Sequence, residues 1–242
     1  MRVLVISDIH ANLIALEAVL AAAGPVDAVW CLGDIVGYGP DPNDCVARIR
    51  GLPKLVCIMG NHDAAALKQI QTDNFNPEAR IALHWTRTAL SPSSLEFLAS
   101  RPEKLVIGDV TLSHGSPRHP VWEYLLDTRT ATQSFEHFDT SYCLVGHTHL
   151  PVLYYLPDNR YMAHLVVPEP NTSLVLSPRA ILNPGSVGQP RDRDPRASFA
   201  IFSPDENTWD YRRVTYDVQA VQARMEDAGL PERHIIRLAA GW

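Results

Sequence analysis

Residues 1–10, MRVLVISDIH, carry an unbroken apolar run straight into Asp8 and His10, and the reading of this stretch decides the fold. Arg2 to Ser7 has the length and the branched side chains of a buried strand, and Leu13 to Ala23 is a run of good helix formers closed by Gly24-Pro25. A strand, a polar loop and a helix in that order open a βαβ unit, in which strands are parallel and ligands gather beyond their carboxyl ends. The unit recurs. Ala28 to Leu32 ends in Gly33-Asp34, Pro42 to Arg50 reads as helix, and Lys54 to Met59 ends in Gly60-Asn61-His62-Asp63.

Residues 64–101 read as mainly helical, with starts at Asn76-Pro77 and Ser91-Pro92, where a capping side chain precedes a proline. Lys104 to Ile107 and Val110 to Ser113, joined by Gly108-Asp109, form a predicted hairpin that delivers His114-Gly115. Residues 116–141 read as an excursion rich in aromatics, after which Tyr142 to Val145 delivers Gly146-His147-x-His149. Further strands are expected at Val152 to Leu156, Leu174 to Leu176, Ala180 to Leu182, Ser198 to Phe202 and Thr208 to Arg213, then a helix from Val218 to Ala228. Strands crowded late in the chain suit a second, more antiparallel sheet.

At 242 residues the chain suits one large domain and would be cramped as two. Its 46% hydrophobic and 20% charged residues give an ordinary globular balance, and the net charge of −6 argues against general nucleic-acid or membrane-surface binding. Cys31, Cys45, Cys57 and Cys143 show no C-x-x-C spacing and read as small buried hydrophobes of a reducing compartment. The N-terminus enters the first strand without the features of a signal peptide, and no apolar run approaches the ~20 residues of a membrane span. The expected location is cytoplasmic.

Five blocks stand at the ends of predicted strands: Asp8-x-His10, Gly33-Asp34, Gly60-Asn61-His62-Asp63, His114-Gly115 and Gly146-His147-x-His149. Any one of them alone reads equally well as turn chemistry. Together they spell a two-metal hydrolytic site, because two divalent ions need about four to six ligands each and carboxylate, imidazole and amide oxygen suit Mn, Fe, Zn or Ni. No single segment supplies that many.

In these blocks the chain resembles the calcineurin-like metallophosphoesterase superfamily, whose pattern runs D-x-H, G-D, G-N-H-(D/E), H and G-H-x-H. The resemblance implies one domain over residues 1–242, an α/β fold in which two mixed sheets pack face to face with helices outside, in four layers α/β/β/α. It implies two divalent metal ions, Mn first with Fe, Zn, Ni or Mg as alternatives, at one rim of the sandwich. Asp8, His10, Asp34 and His149 would hold one, and Asp34, Asn61, His114 and His147 the other, with Asp34 bridging and a shared water or hydroxide completing the pair. Ions roughly 3.5 to 4 Å apart activate water and neutralise phosphoryl oxygens, so no side-chain nucleophile is needed. His62, not a ligand in that pattern, would protonate the leaving oxygen, with Asp34 or Asp63 orienting its ring.

Asn12 is a candidate phosphate contact or a plain cap for the helix from Leu13, and Tyr38 a candidate platform for a nucleoside or aryl group or a packing aromatic. Arg191, in a stretch of mixed sign, is a candidate phosphate clamp, and Asn183 to Gly188 reads as a turn cluster shaping a loop by the metal rim. The protein serine/threonine phosphatases and symmetrical dinucleoside tetraphosphatases of the superfamily carry G-D-x-V-D-R-G in the second block. Here it is Gly33-Asp34-Ile35-Val36-Gly37-Tyr38-Gly39, without the Asp-Arg pair, which points to the bacterial single-domain phosphodiesterase-like branch. The expected activity is therefore metal-dependent hydrolysis of a small, nucleotide-like phosphodiester. The alternatives are a phosphomonoesterase or nucleotide pyrophosphatase of the same fold, or a non-catalytic scaffold, which the complete ligand set with its acid histidine disfavours.

Overall fold

β1 (Val3–Ile6) has every residue buried, and its alternate side chains serve two different cores. In the computed structural model, which describes residues 1–73, 75–157 and 161–242, β1 pairs in parallel with β2 (Ala28–Cys31) and antiparallel with β11 (Ala197–Ser203). β2 in turn pairs in parallel with β3 (Val56–Cys57), and β11 is followed outward by β12 (Thr208–Val214) and β9 (Thr172–Val175), both antiparallel. The second sheet runs β4 (Lys104–Ile107), β5 (Val110–Ser113), β6 (Tyr142–Leu144), β10 (Ala180–Pro184), β7 (Pro151–Tyr155) and β8 (His164–Val166). Its β5, β6 and β10 are mutually parallel and its remaining pairs antiparallel, so both sheets are mixed.

The period of two in a strand sorts the side chains between layers. Val3, Val5, Trp30, Phe202 and Trp209 of the first sheet meet Leu112, Tyr142, Leu144, Leu153 and Leu182 of the second, which closes the inner core. Leu4, Ile6, Val29 and Ile201 point the other way, onto α1 (Leu13–Ala23), α2 (Pro42–Arg50), α4 (Pro77–Ala89), α5 (Pro92–Ala99), α7 (Val218–Asp227) and α8 (Glu232–Ala240). Outside the second sheet, Cys143, Val145, Tyr154 and Ile181 are covered by α6 (Thr128–Ser134) and the turn after it. Two mixed sheets with helices on both outer faces give the α/β/β/α sandwich. Burial on both faces is why the inner strands read as continuous apolar runs.

Asn76 and Ser91 cap α4 and α5 as their sequence signals foretell, each accepting from a main-chain N–H three residues on. Residue 74, inside the stretch read as mainly helical, lies outside the described residues. Three elements were not anticipated. α6 has weak intrinsic propensity and is held by the Asp127 cap and its packing, β8 is an exposed edge strand, and α8 is marked by the buried His234, Ile235 and Leu238 on one face. Gly60-Asn61-His62-Asp63 does not form a turn: it opens α3 (Asn61–Ala66), where an Asp63 carboxylate oxygen accepts from the Gly60 N–H at 3.1 Å.

Candidate metal centre

The five blocks converge at the carboxyl ends of β1, β2, β3, β5 and β6, where the rims of the two sheets meet. Asp8, His10, Asp34, Asn61, His62, His114, His147 and His149 are all 5% exposed or less, so eight polar side chains share a buried site. Main-chain bonds tie the loops together: the N–H groups of Asp8 and His10 donate to the carbonyls of Gly33 and Asp34, and that of Gly146 to His114. The Asp8 carboxylate accepts from the His147 N–H at 3.0 Å, which links the first sheet to the second. The loop Asn183–Gln189 braces Asp8 from behind, with the Ser186 hydroxyl and the Gly188 N–H both donating to the Asp8 carbonyl.

Asp8, His10, Asp34, His147 and His149 all adopt positive φ, between 49° and 66°. Left-handed backbone is unfavourable for residues with a Cβ, and its concentration at one place marks a functional constraint. Close approach is equally demanding. A Cβ on Gly60 would lie 2.1 Å from Asp34 Oδ1, and one on Gly188 would lie 1.8 Å from the Ile9 carbonyl oxygen.

Each of four histidines has one ring nitrogen fixed by a main-chain carbonyl. Nδ1 of His10, His114 and His149 meets the carbonyls of Val36, Leu32 and Gln189, at 3.3, 2.7 and 2.5 Å, while Nε2 of His147 meets that of Trp122 at 3.1 Å. The N–H donates, so the other nitrogen is left facing the cluster, which is the arrangement that orients metal-binding imidazoles. The carboxylates are left equally open. Asp8 Oδ2 and Asp34 Oδ1 accept from main-chain N–H groups of His147 and His62, whereas Asp8 Oδ1 and Asp34 Oδ2 are buried without a hydrogen-bond partner. His149 Nε2 lies 3.3 Å from Asp8 Oδ1, and His114 Nε2 lies 3.3 Å from Asp34 Oδ2. Burying carboxylate oxygens of this kind is costly, and a cation beside them offsets the cost. The donor set therefore fits divalent metal.

Asp8, His10 and His149 form one group whose ligand atoms all lie within 4.8 Å of one another, and Asp34, His114 and His147 form another. A third group, His10, Asp34 and His62, spans them. The Asn61 amide oxygen lies 3.2 Å from His114 Nε2. Electrostatics without metal reflect the crowding. Burial pushes His147 down to about 3 and His10 and His149 well below their usual value, so all three are neutral. Burial also opposes charge on His114, but Asp34 and Asp8 override it and push His114 up to about 10. Both His114 nitrogens face acceptors, Leu32 and Asn61, as an imidazolium requires.

His62 enters the same cavity from α3. Its ring packs against His10, Tyr38 and Phe75, with centroids 4.9, 4.4 and 5.0 Å away, and its buried Nδ1 has no partner. Neither carboxylate expected to orient it does so. Asp34 accepts from the His62 main-chain N–H, and Asp63 accepts from the N–H groups of Val36 and Gly60, so aromatic packing positions the ring.

The three expected substrate contacts separate. Asn12 is buried and caps α1 through Oδ1, which accepts from the Ala15 N–H, while its Nδ2 donates one N–H to the Gly188 carbonyl. Tyr38 is 7% exposed, its ring enclosed by His10, His62 and His234, so it packs beneath the cluster rather than offering an open face. Arg191 stays available: it donates to the Gln189 side chain at 2.9 Å and pairs with no carboxylate among the described residues, while burial pushes Asp8 up to about 6 against the opposing charge of Arg191. Tyr124, an aromatic of the 116–141 excursion that the sequence offers as an apolar contact for the second ester group, stacks its ring on His147 at 3.8 Å; the sequence reading missed the carbonyls of Leu32, Val36, Trp122 and Gln189 that fix the imidazoles.

A two-sheet sandwich with a carboxylate and histidine cluster at the carboxyl ends of its strands defines a metal-dependent phosphoester hydrolase. The chain matches the Calcineurin-like phosphoesterase superfamily domain over residues 1–207 and belongs to that family. It is similar to the metallophosphoesterase of Sphaerobacter thermophilus, at 49% identity and a TM-score of 0.90 over 100% of this chain and 99% of that one. An uncharacterized protein of Methanocaldococcus jannaschii is 38% identical over 235 residues, 94% of this chain and 93% of the relative. A hypothetical protein of Pyrococcus horikoshii shares the fold at a TM-score of 0.80 and 22% identity, over 100% of this chain and 98% of that one. Among the described residues no helix is long and apolar enough to cross a membrane.

Proposed function

We propose that the chain holds two divalent cations, Mn foremost, and hydrolyses phosphodiesters. Asp8, His10, Asp34 and His149 would hold one cation, and Asp34, Asn61, His114 and His147 the other. The observation that carries this reading is that Asp34 belongs to two of the three ligand groups, and that its Oδ2, 3.7 Å from His10 Nε2 and 3.3 Å from His114 Nε2, faces both halves of the cluster. When bound, two cations supply an activated water near neutral pH and positive charge at the phosphoryl oxygens.

The chain's own side chains do the rest. Arg191, free of carboxylate partners among the described residues, serves a phosphoryl oxygen with its planar donor fork. His62 keeps Nδ1 turned away from solvent and leaves Nε2 to give a proton to the leaving oxygen. Burial pushes His62 down to about 4 in the free protein, and an anionic substrate beside the ring raises it again toward its usual range. A diester carries one negative charge fewer than a dianionic monoester, which matches a second block lacking the Asp-Arg pair and a site with Arg191 as its added cation. Four free, buried cysteines accord with work in the reducing cytoplasm.

The test is kcat/KM for bis-p-nitrophenyl phosphate against p-nitrophenyl phosphate on one Mn-loaded preparation. The diester is expected to be the better substrate. A clear preference for the monoester would move the enzyme to the phosphomonoesterase reading.

A further inference from the structure

Beside the cluster, on the outer side of the second sheet, lies a cavity of about 160 Å³ whose walls are almost wholly apolar. Its floor is Val152 and Tyr154 of β7, both buried, and its mouth is formed by Leu126, Leu165 and Val167, which are 55%, 42% and 65% exposed. Several of its lining residues lie one or two positions along the chain from site residues. Leu150 follows His149, Asp192 follows Arg191, and Leu125 and Leu126 follow Tyr124, the ring stacked on His147. The cavity therefore lies against the same chain segments that carry Arg191, His149 and Tyr124.

We propose that this cavity is the subsite for the ester group the substrate retains, and that this group is a single uncharged ring or a branched alkyl of similar size. The inference rests on the phosphodiesterase reading above and deepens it. Three observations select the occupant. First, volume: a cavity of roughly 150 Å³ accommodates one benzene-sized ring, whereas a nucleobase with its ribose is too large and a methyl group leaves most of it empty. Second, charge: among the described residues Asp192, paired with Arg213, is the charged residue of the lining, and none of those residues is a cation that would meet a second phosphate. Third, position: neither His62 nor any residue packed on its ring lines the cavity, so the leaving oxygen, which must face His62, belongs to the other ester arm. Apolar side chains exposed together at the mouth of a cavity are the usual mark of such a binding site.

The experiment compares the benzyl and methyl esters of p-nitrophenyl phosphate, which share a leaving group and differ in the retained arm, on the Mn-loaded protein. The benzyl ester should be favoured in kcat/KM by about 10- to 100-fold. Val167→Glu and Leu126→Glu, both at exposed positions that tolerate a charge, should reduce that preference to about twofold or less. Equal rates for the two esters in the unaltered protein, or a benzyl preference that survives both substitutions, would overturn the subsite. If neither ester is hydrolysed, the phosphodiesterase reading falls. The cavity is then judged by methyl NMR with dibenzyl phosphate: shifts at Leu126, Leu150, Val152, Leu165 and Val167 support it, and their absence overturns it.

Discussion

The Nε2 atoms of His10 and His149 face each other at 3.1 Å, while the Nδ1–H of each ring donates to a main-chain carbonyl, Val36 for one and Gln189 for the other. Burial keeps both rings neutral, so two lone pairs meet with no proton between them. Asp8 Oδ1, itself without a donor, lies 3.3 Å from one and 3.7 Å from the other. A cation at the point where all three converge would satisfy both lone pairs and the carboxylate oxygen together.

Removing one of these donors should therefore cost one cation, and removing Asp34 should weaken both. Elemental analysis after Mn reconstitution and desalting is expected to give two ions per chain for the unaltered protein, about one for His149→Ala, and fewer still for Asp34→Asn. Activity of Asp34→Asn should fall on the order of 10³-fold or more, the several kcal/mol that such ions supply to a transition state. Full retention of both ions in His149→Ala would refute the ligand assignment.

A second expectation concerns the metal-free protein and pH. His114 is raised in the fold to about 10, so the folded state holds a proton that the unfolded chain, with an ordinary histidine, releases near 6.5. A raised group stabilises fully below its unfolded pKa, and the benefit is lost as pH rises through the folded value. The melting temperature of metal-free protein should therefore decline between about pH 7 and pH 9. Saturating Mn displaces the proton and should remove the decline. Metal-free His114→Gln should show a flatter profile over the same range, and an unchanged slope in that variant would assign the effect elsewhere.

How much of this was legible in the sequence depends on which force sets each feature. Strand ends and helix starts follow periodicity and capping, so Asp8, Asp34, His114 and His147 were placed at strand termini, and Asn76 and Ser91 at helix starts, from residue type alone. The left-handed backbone at Asp8, His10, Asp34, His147 and His149 runs against local preference, and only the packed loops impose it. The same holds for Asn61, whose turn signal yields to a helix capped by Asp63. Asn12 and Tyr38 show the other limit. Asn12 is tied to Gly188 and Tyr38 packs on His234, partners distant in sequence that no local pattern reveals.

Gly60 supplies a steric test of the site that involves no charged residue. Its Cα approaches Asp34 so closely that an added Cβ would sit 2.1 Å from Oδ1 and 2.3 Å from the Asp34 main-chain nitrogen. Neither atom can yield without moving the carboxylate. Gly60→Ala should lower stability by about 1–3 kcal/mol, as overpacking does, and weaken metal retention beyond what that loss explains. Urea unfolding with and without Mn separates the two effects. A variant that unfolds earlier yet gains the same stability from Mn as the unaltered protein would show that Asp34 had not moved.

His62 is the residue whose role divides a catalytic site from a metal pocket. Its ring makes no hydrogen bond to any expected ligand, and the bond it does give Asp34, at 2.8 Å, comes from the main-chain N–H and survives truncation. His62→Ala should therefore retain its cations while kcat falls by roughly 10²- to 10⁴-fold, the usual worth of a proton donor. The size of the loss should depend on the leaving group. p-Nitrophenolate departs readily without a proton, whereas an alkoxide needs one, so the variant should lose least on p-nitrophenyl esters and most on alkyl diesters. Equal losses on both substrates would make His62 a positioning residue, acting through the packing of Tyr38 and Phe75 against the cluster. Loss of metal in the variant would make it a ligand.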